Sequence, residues 1–277
     1  MHNQVKIVVF DMDETLGYFV EFGIFWETIH TFFRNEMKMN ILDLLDFYDI
    51  LNLYPEFIRP NIYSILNYLK HKMIEEELHG VMIYTNNQGP RMWVHLIKEY
   101  FEKKINYPLF TQIIAAFKSN GKQLEMGRTT NDKTLDDFFR CTQLPTNAHI
   151  CFLDDCYYPN MHGENVYYIK VRPYIYDLSF EIMIRRFLES DTGKQLLLDH
   201  IIETSFKNYV IAFMTQFKFL SAKKSKEEYE IDKIITKKTM VHLQTFFTKN
   251  KTYPILKHKV KYTTRSKSYK NRTLRKL

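Results

Sequence analysis

A continuous apolar run near the start of the chain ends in two aspartates, and this feature constrains the fold most. Residues 5–10 are apolar or β-branched apart from Lys6, which is typical of a strand buried on both faces of a parallel sheet. Asp11 and Asp13 follow directly. On an extended backbone, residues two apart leave the chain on the same side. Two carboxylates side by side repel each other unless a cation lies between them or one holds a proton.

Further strand candidates alternate with helical patterns up to about residue 175. The strand candidates are residues 81–84, 110–117, 150–153 and 166–170, and helices are predicted to start at Arg59-Pro60, near Met92, and at Leu135 after Asn131 or Asp132. This alternation predicts an α/β fold with a Rossmann-like, doubly wound parallel sheet.

Two other segments are predicted to be helical. Residues 17–59 show no clear strand and form a small helical insert after the first strand, while residues 191–249 carry two long helical patterns joined by a polar hinge at 221–226. We therefore predict a sheet domain over residues 1–190 that includes the insert, and a C-terminal helical extension over 191–249.

The positive charge of the chain is concentrated at its C-terminus. Lys and Arg number 39 against 32 Asp and Glu, a net charge of +7, yet ten of these cations and no acid lie in residues 250–277. This tail lacks apolar periodicity and is predicted to be largely disordered. It could bind nucleic acid or another anionic surface, direct nuclear localisation, or only keep the chain soluble. The sequence leaves these alternatives open.

Cysteine content and hydropathy indicate an intracellular protein. Three cysteines are too few for a disulfide framework, and no apolar stretch reaches the roughly 18 residues of a membrane span. A cytoplasmic, nuclear or virion-associated location is expected.

Polar residues follow three of the predicted strands at their carboxyl ends. Besides Asp11 and Asp13, these are Thr85 and the pair Asp154-Asp155. Ligand sites in open α/β sheets form outside these strand ends, and Mg²⁺ is commonly held there by one or two carboxylates with a phosphate. Cys156 and His162 lie nearby, but their spacing matches no familiar zinc motif.

These motifs resemble those of the haloacid-dehalogenase-like superfamily of phosphohydrolases over roughly residues 5–175. The segment VKIVVFDMDETL is similar to motif one, which implies that Asp11 is the nucleophile and Asp13 the general acid and base. Thr85 in VMIYTNN matches the hydroxyl of motif two, and Asp154 and Asp155 in ICFLDD match the metal-binding acids of motif four. The resemblance implies a Mg²⁺-dependent phosphatase with Asp11, Asp13, Asp154 and Asp155 around the metal.

The lysine of motif three has three candidates. Lys133 in NDKTLDDFF lies close to a predicted helix start and is preferred over Lys118 and Lys122, which belong to a glycine-containing loop upstream. By the resemblance, Lys133 and Thr85 hold phosphoryl oxygens while Asp11 forms an aspartyl-phosphate.

A narrower resemblance is to the RNA polymerase C-terminal-domain phosphatases and the NLI-interacting-factor-like proteins. Asp13-Glu14-Thr15-Leu16 and Arg59-Pro60 fit this branch, whereas Tyr84-Thr85-Asn86-Asn87 and the second acid of Asp154-Asp155 depart from it. The expected substrate is therefore a phosphoprotein or a small phosphomonoester, with a polynucleotide end as another candidate. The competing hypothesis is a non-catalytic interaction protein that keeps this fold and binds nucleic acid through its tail.

Overall fold

A single parallel sheet organises the fold in the computed structural model, which describes residues 4–41, 45–217 and 224–248. The strands in these ranges are β1 (Lys6–Phe10), β2 (Gly80–Tyr84), β3 (Phe110–Ile114), β4 (Lys118–Ser119), β5 (Lys122–Gln123), β6 (His149–Asp154) and β7 (Val166–Lys170). Five of them pair in parallel in the order β3-β2-β1-β6-β7. The predicted α/β class with a Rossmann-like sheet is confirmed.

The central strands are buried on both faces, as their apolar runs predict. Every residue of β2 and β6 is buried, and in β1 only Lys6 is partly exposed. Phe10 at the end of β1 pairs with Ile83 of β2 and with Leu153 of β6. The three strands therefore end at the same level, and the residues that follow them lie at one edge of the sheet.

The helices fill the connections between strands and extend beyond the sheet. They are α1 (Val20–Asn35), α2 (Phe47–Asn52), α3 (Ile62–Ile74), α4 (Arg91–Ile105), α5 (Leu135–Thr142), α6 (Phe180–Glu189), α7 (Asp191–Leu196), α8 (His200–Met214) and α9 (Lys226–Thr248). The predicted C-terminal helices are confirmed. No helix in the described ranges is both long enough and apolar enough to cross a membrane.

Two compact units divide the chain. Of the residues that the structure describes, the sheet unit contains 4–16, 59–174 and 227–248, and the helical unit contains 17–41, 45–58, 175–217 and 224–226. Within the helical unit, aromatic side chains of α1 and α8 form much of the core, with the rings of Phe32 and Phe206 5.2 Å apart. The Tyr54 hydroxyl donates a hydrogen bond to the Met183 carbonyl at 2.8 Å, which ties the segment after α2 to α6.

Helix α9 returns to the sheet unit after the helical unit. The Lys6 ammonium of β1 donates to the Phe247 carbonyl at 3.4 Å, and the Tyr167 hydroxyl of β7 lies 2.9 Å from Nδ1 of His242. Phe246 and Phe247 are buried. The end of α9 is therefore part of the sheet unit's core.

Several predicted boundaries were wrong. The strand predicted over 110–117 ends at Ile114. An antiparallel hairpin follows, in which β4 and β5 have two residues each and the turn between them contains Gly121 at φ +77°. Helix α5 is capped by Thr134, whose hydroxyl accepts from the Asp137 N–H at 3.1 Å, and not by Asn131 or Asp132. Part of the predicted hinge at 221–226 and the whole tail at 250–277 lie outside the described residues.

Candidate active site

The carboxyl ends of the central strands bring the predicted site residues together. Asp11 follows β1, Thr85 follows β2, and Asp154 is the last residue of β6. Asp11 also continues the pairing of β1 and β6, because its N–H donates to the Leu153 carbonyl at 2.8 Å. All three side chains are buried. The sheet register thus fixes the spacing of residues that are far apart in sequence.

Lys133 bridges two of the aspartates. Its Nζ lies 2.6 Å from Oδ1 of Asp11 and 2.6 Å from Oδ2 of Asp154, and the residue is 1% exposed. Burial by itself lowers the pKa of Lys133, but attraction to Asp11 and Asp154 outweighs it, so the pKa lies above its ordinary value. The ammonium stays charged and holds both carboxylates in place.

The other two candidate lysines lie away from these aspartates. Lys118 and Lys122 are exposed in the hairpin of β4 and β5, and the Lys118 ammonium packs 4.7 Å from the ring centre of Phe117. Among the three lysines, Lys133 is the one in hydrogen-bond contact with the nucleophile candidate. Arg172, after β7, is exposed.

Asn87 orients the second aspartate of the first motif. Its Nδ2 donates to Oδ2 of Asp13 at 2.8 Å, while its Oδ1 accepts from the Gly89 N–H at 2.9 Å. Its own N–H donates to the Thr85 hydroxyl oxygen at 3.0 Å. The amide is thereby fixed at one end and presents its NH₂ group to Asp13. The turn residues Thr85 to Pro90 indicated a loop here, but nothing in the sequence indicated this contact.

Thr15 hydrogen-bonds to Asp155, the acid that directly follows β6. The Asp155 N–H donates to the Thr15 hydroxyl at 3.1 Å, and that hydroxyl lies 3.4 Å from Oδ1 of Asp155. The Cys156 N–H donates to Oδ1 of Asp154 at 2.7 Å. Ligand atoms of Asp154, Asp155 and Cys156 lie within 4.8 Å of one another, a group that could hold a metal ion. His162 lies outside this group and stacks on Tyr168, with the ring centres 5.0 Å apart.

The donor set fits a hard divalent cation. Four buried carboxylates, from Asp11, Asp13, Asp154 and Asp155, lie in this part of the sheet unit. Lys133 lies in direct contact with two of them, Asp11 and Asp154. Arg59 is attracted to Asp232 and, less strongly, to Asp155. Buried charge is unfavourable unless it is compensated, and carboxylate oxygens are the ligands that Mg²⁺ prefers.

Arg59 braces the turn that follows Asp13. Its Nε donates to the Thr15 carbonyl at 2.6 Å, and its Nη2 donates to the carbonyls of Glu14 at 2.5 Å and Arg172 at 2.8 Å. Glu14 has a φ of 60°, a left-handed conformation that costs energy for a residue with a side chain. The sequence predicted that Arg59 opens a helix; instead α3 begins at Ile62, and Arg59 supports this strained turn.

Arg128 is a second buried arginine that sequence reasoning missed. It is 1% exposed and donates hydrogen bonds to the loop after β2 and to the loop that carries Lys133. A lone arginine in a polar segment has the sequence signature of a surface cation. Only its contacts mark it as part of the site's support.

Comparison with known protein families, with curated proteins and with solved structures finds no match for this chain.

Proposed function

We propose that this chain is a Mg²⁺-dependent phosphomonoester hydrolase that works through an aspartyl-phosphate, as its resemblance to the haloacid-dehalogenase-like superfamily implies. The observation that carries the proposal is the buried bridge of Lys133 between Asp11 and Asp154. A cation beside a nucleophilic carboxylate is what attack on an anionic phosphate requires, because it offsets the repulsion between the two anions.

The first chemical step is the attack of an Asp11 carboxylate oxygen on phosphorus. The P–O bond to the leaving group breaks as the Asp11–phosphorus bond forms, and Asp13 gives its proton to the leaving oxygen. The hydrogen bond from Asn87 restrains the Asp13 carboxyl that has this proposed role. Lys133 and the Thr85 hydroxyl are the proposed contacts of the remaining phosphoryl oxygens.

The second step hydrolyses the aspartyl-phosphate. Asp13, now ionised, takes a proton from water, whose oxygen attacks phosphorus and releases inorganic phosphate and the Asp11 carboxylate. Mg²⁺ would be held by Asp11, the Asp13 carbonyl and the Asp154-Asp155 pair, and when bound it supplies positive charge that stabilises the phosphoryl group in the transition state. The Thr15 contacts to Asp155 keep that acid oriented.

The test is hydrolysis of p-nitrophenyl phosphate by the wild-type chain and by Asp11→Asn. We expect Mg²⁺-dependent turnover that EDTA abolishes and that Asp11→Asn lowers by at least about three orders of magnitude, because an amide is a poor nucleophile. Asp136→Asn, at an exposed position of α5, is the matched control and should keep wild-type turnover. Undiminished activity in Asp11→Asn would falsify the assignment of the nucleophile.

The class of substrate is a separate part of the proposal. A phosphoprotein, a small phosphomonoester and a polynucleotide 5′- or 3′-phosphate are the candidates. Comparing kcat/KM on phosphopeptides, nucleotides and phosphorylated oligonucleotides ranks them directly, because the preferred class gives the highest value.

For residues 250–277 we propose binding to nucleic acid or another anionic surface, in an intracellular protein. The support is compositional: ten cations and three tyrosines with no acid. The chain 1–249 should keep its turnover on p-nitrophenyl phosphate and lose salt-sensitive binding to nucleic acid. If the wild-type chain shows binding but no turnover, the non-catalytic hypothesis is preferred instead.

A further inference from the structure

Arg128 is a long charged side chain with almost no contact with solvent. It is 1% exposed, and its guanidinium carbon lies 4.9 Å from the ring centre of Tyr84, the last residue of β2. Taking a guanidinium out of water is unfavourable unless its N–H groups find acceptors. Its acceptors therefore indicate what the charge is for.

The two terminal nitrogens of Arg128 reach three separate segments. Nη1 donates to the main-chain carbonyls of Thr85 at 3.1 Å and Ala115 at 2.9 Å. Nη2 donates to Oδ1 of Asn86 at 2.7 Å and to the carbonyls of Asn131 at 3.1 Å and Asp132 at 3.3 Å. These segments are the loop after β2, the residue that follows β3, and the two residues that precede Lys133.

The network continues to the segment after β6. The Asn86 amide nitrogen donates to the Tyr158 hydroxyl at 3.0 Å, and the Tyr158 ring centre lies 5.4 Å from Nζ of Lys133. From the other side, the Thr129 N–H and hydroxyl both donate to the Asp137 carboxylate, at 3.0 and 2.9 Å. The loop from Arg128 to Lys133 is thus held at its start and along its length.

We propose that Arg128 is a positioning residue that sets the spacing between Thr85 and Lys133 and so shapes the phosphoryl-binding half of the site. This inference rests on the proposed function, because it concerns the two groups proposed to hold phosphoryl oxygens. Its contacts with Thr85, Asn131 and Asp132 are to main-chain carbonyls, so Arg128 fixes the course of the backbone itself.

A purely structural role does not require this residue. Buried ionic groups add little net stability over well-packed apolar side chains of the same volume. The planar guanidinium of Arg128 instead fixes the relative geometry of three segments, because it donates to acceptors from each of them. Lysine would bring the charge but, as a compact ammonium on a flexible stem, could not satisfy the same acceptors.

The test compares Arg128→Ala and Arg128→Lys with Arg185→Ala, an exposed arginine of α6 that serves as the control. In steady-state hydrolysis of p-nitrophenyl phosphate we expect KM to rise at least tenfold in Arg128→Ala, with a parallel loss of inhibition by orthovanadate. Arg128→Lys should be intermediate, and guanidinium chloride at millimolar concentration should partly restore KM in Arg128→Ala alone. Wild-type KM and vanadate affinity in a folded Arg128→Ala would overturn the inference.

Hydrogen–deuterium exchange provides a readout that does not depend on turnover. We expect faster exchange of amides in residues 85–88 and 129–134 of both Arg128 variants, with β1 unchanged. An inactive wild-type chain with this local change means that the proposed function fails while the positioning role stands. Active wild type with no local change in either variant overturns the positioning role. If Arg128→Ala does not fold, Arg128→Lys decides by the same criteria.

Discussion

The positive charge of Lys133 compensates the negative charges of two aspartates. Without its ammonium, Asp11 and Asp154 become neighbouring buried carboxylates with no lysine between them. Removing one partner of a buried ion pair costs about 3–5 kcal/mol, because the other partner keeps its desolvation penalty.

Lys133→Met is therefore expected to lose both stability and turnover. We predict a drop in kcat/KM on p-nitrophenyl phosphate of at least about 100-fold, since a group that stabilises developing charge is gone. Lys122→Met, at an exposed hairpin position, is the control. Near-normal kcat/KM in Lys133→Met would transfer the proposed motif-three role to another residue.

Glu21 in the helical unit is a buried acid with a raised pKa. Its pKa is raised to about 8. Burial is the main cause and the negative charge of Asp177 contributes, while a hydrogen bond from the Leu178 backbone acts in the opposite direction. The unfolded chain ionises near its ordinary value of 4.5, so between pH 4.5 and 8 the folded form binds the extra proton. Stability therefore falls as pH rises through this window, by at most about 5 kcal/mol.

Glu21→Gln should remove most of this pH dependence. Urea unfolding at pH 5, 6.5 and 8 measures it, and Trp26 reports on the helical unit when Trp93, the other tryptophan, is replaced by Phe. Glu189→Gln, at an exposed position of α6, should keep the wild-type slope. Equal slopes in Glu21→Gln and wild type would mean that Glu21 titrates normally in the folded state.

At the scale of elements, the N-terminus of α5 links local stability to the site. Thr134 caps this helix and directly follows Lys133. Loss of an N-cap hydroxyl typically costs about 1 kcal/mol. The helix start also fixes where the preceding lysine leaves the loop, so a frayed α5 loosens the Lys133 backbone.

We predict that Thr134→Ala lowers unfolding free energy by about 1 kcal/mol and kcat/KM by several-fold, with Thr134→Ser close to wild type. Ser190→Ala removes the cap of α7 in the helical unit, where the Ser190 hydroxyl accepts from the Gly193 N–H at 3.0 Å. Ser190→Ala should lower the unfolding free energy by a similar amount and leave turnover unchanged. Equal losses of turnover in the two cap variants would argue against a specific role for the α5 terminus.

Sequence patterns predicted the long elements better than the short ones. The buried runs of β1 and β6 and the apolar stripe of α3 extend over enough residues to produce a clear periodicity. Strands β4 and β5 have two residues each, too few for any period, so the sequence predicted only a loop where they lie.

At the scale of the molecule, α9 packs in the sheet unit although the residues just before it belong to the helical unit. Leu243, Phe246 and Phe247 are buried at its end. Each large apolar side chain that is fully buried contributes about 1.5–3 kcal/mol. The helix is therefore a stabilising part of the sheet unit, although it is far from β1 and β7 in sequence.

Removing α9 should destabilise the protein by several kcal/mol. We expect the chain 1–225 to melt well below the chain 1–249, as measured by circular dichroism with both chains at the same pH and salt. The chain 1–249 is the control for loss of the tail alone. Equal melting temperatures would show that α9 contributes nothing to the stability of the sheet unit.

The amino-acid order by itself determined the buried strands and the polar residues at their ends, since both depend on residues close together in the chain. It also ranked Lys133 above Lys118 and Lys122, although the role of that lysine stays a prediction. Only the tertiary structure decided the strand order, the Lys133 bridge and the burial of Arg59 and Arg128. The reason is physical: a charged side chain is buried only where distant segments supply its partners, and local sequence does not encode which segments meet.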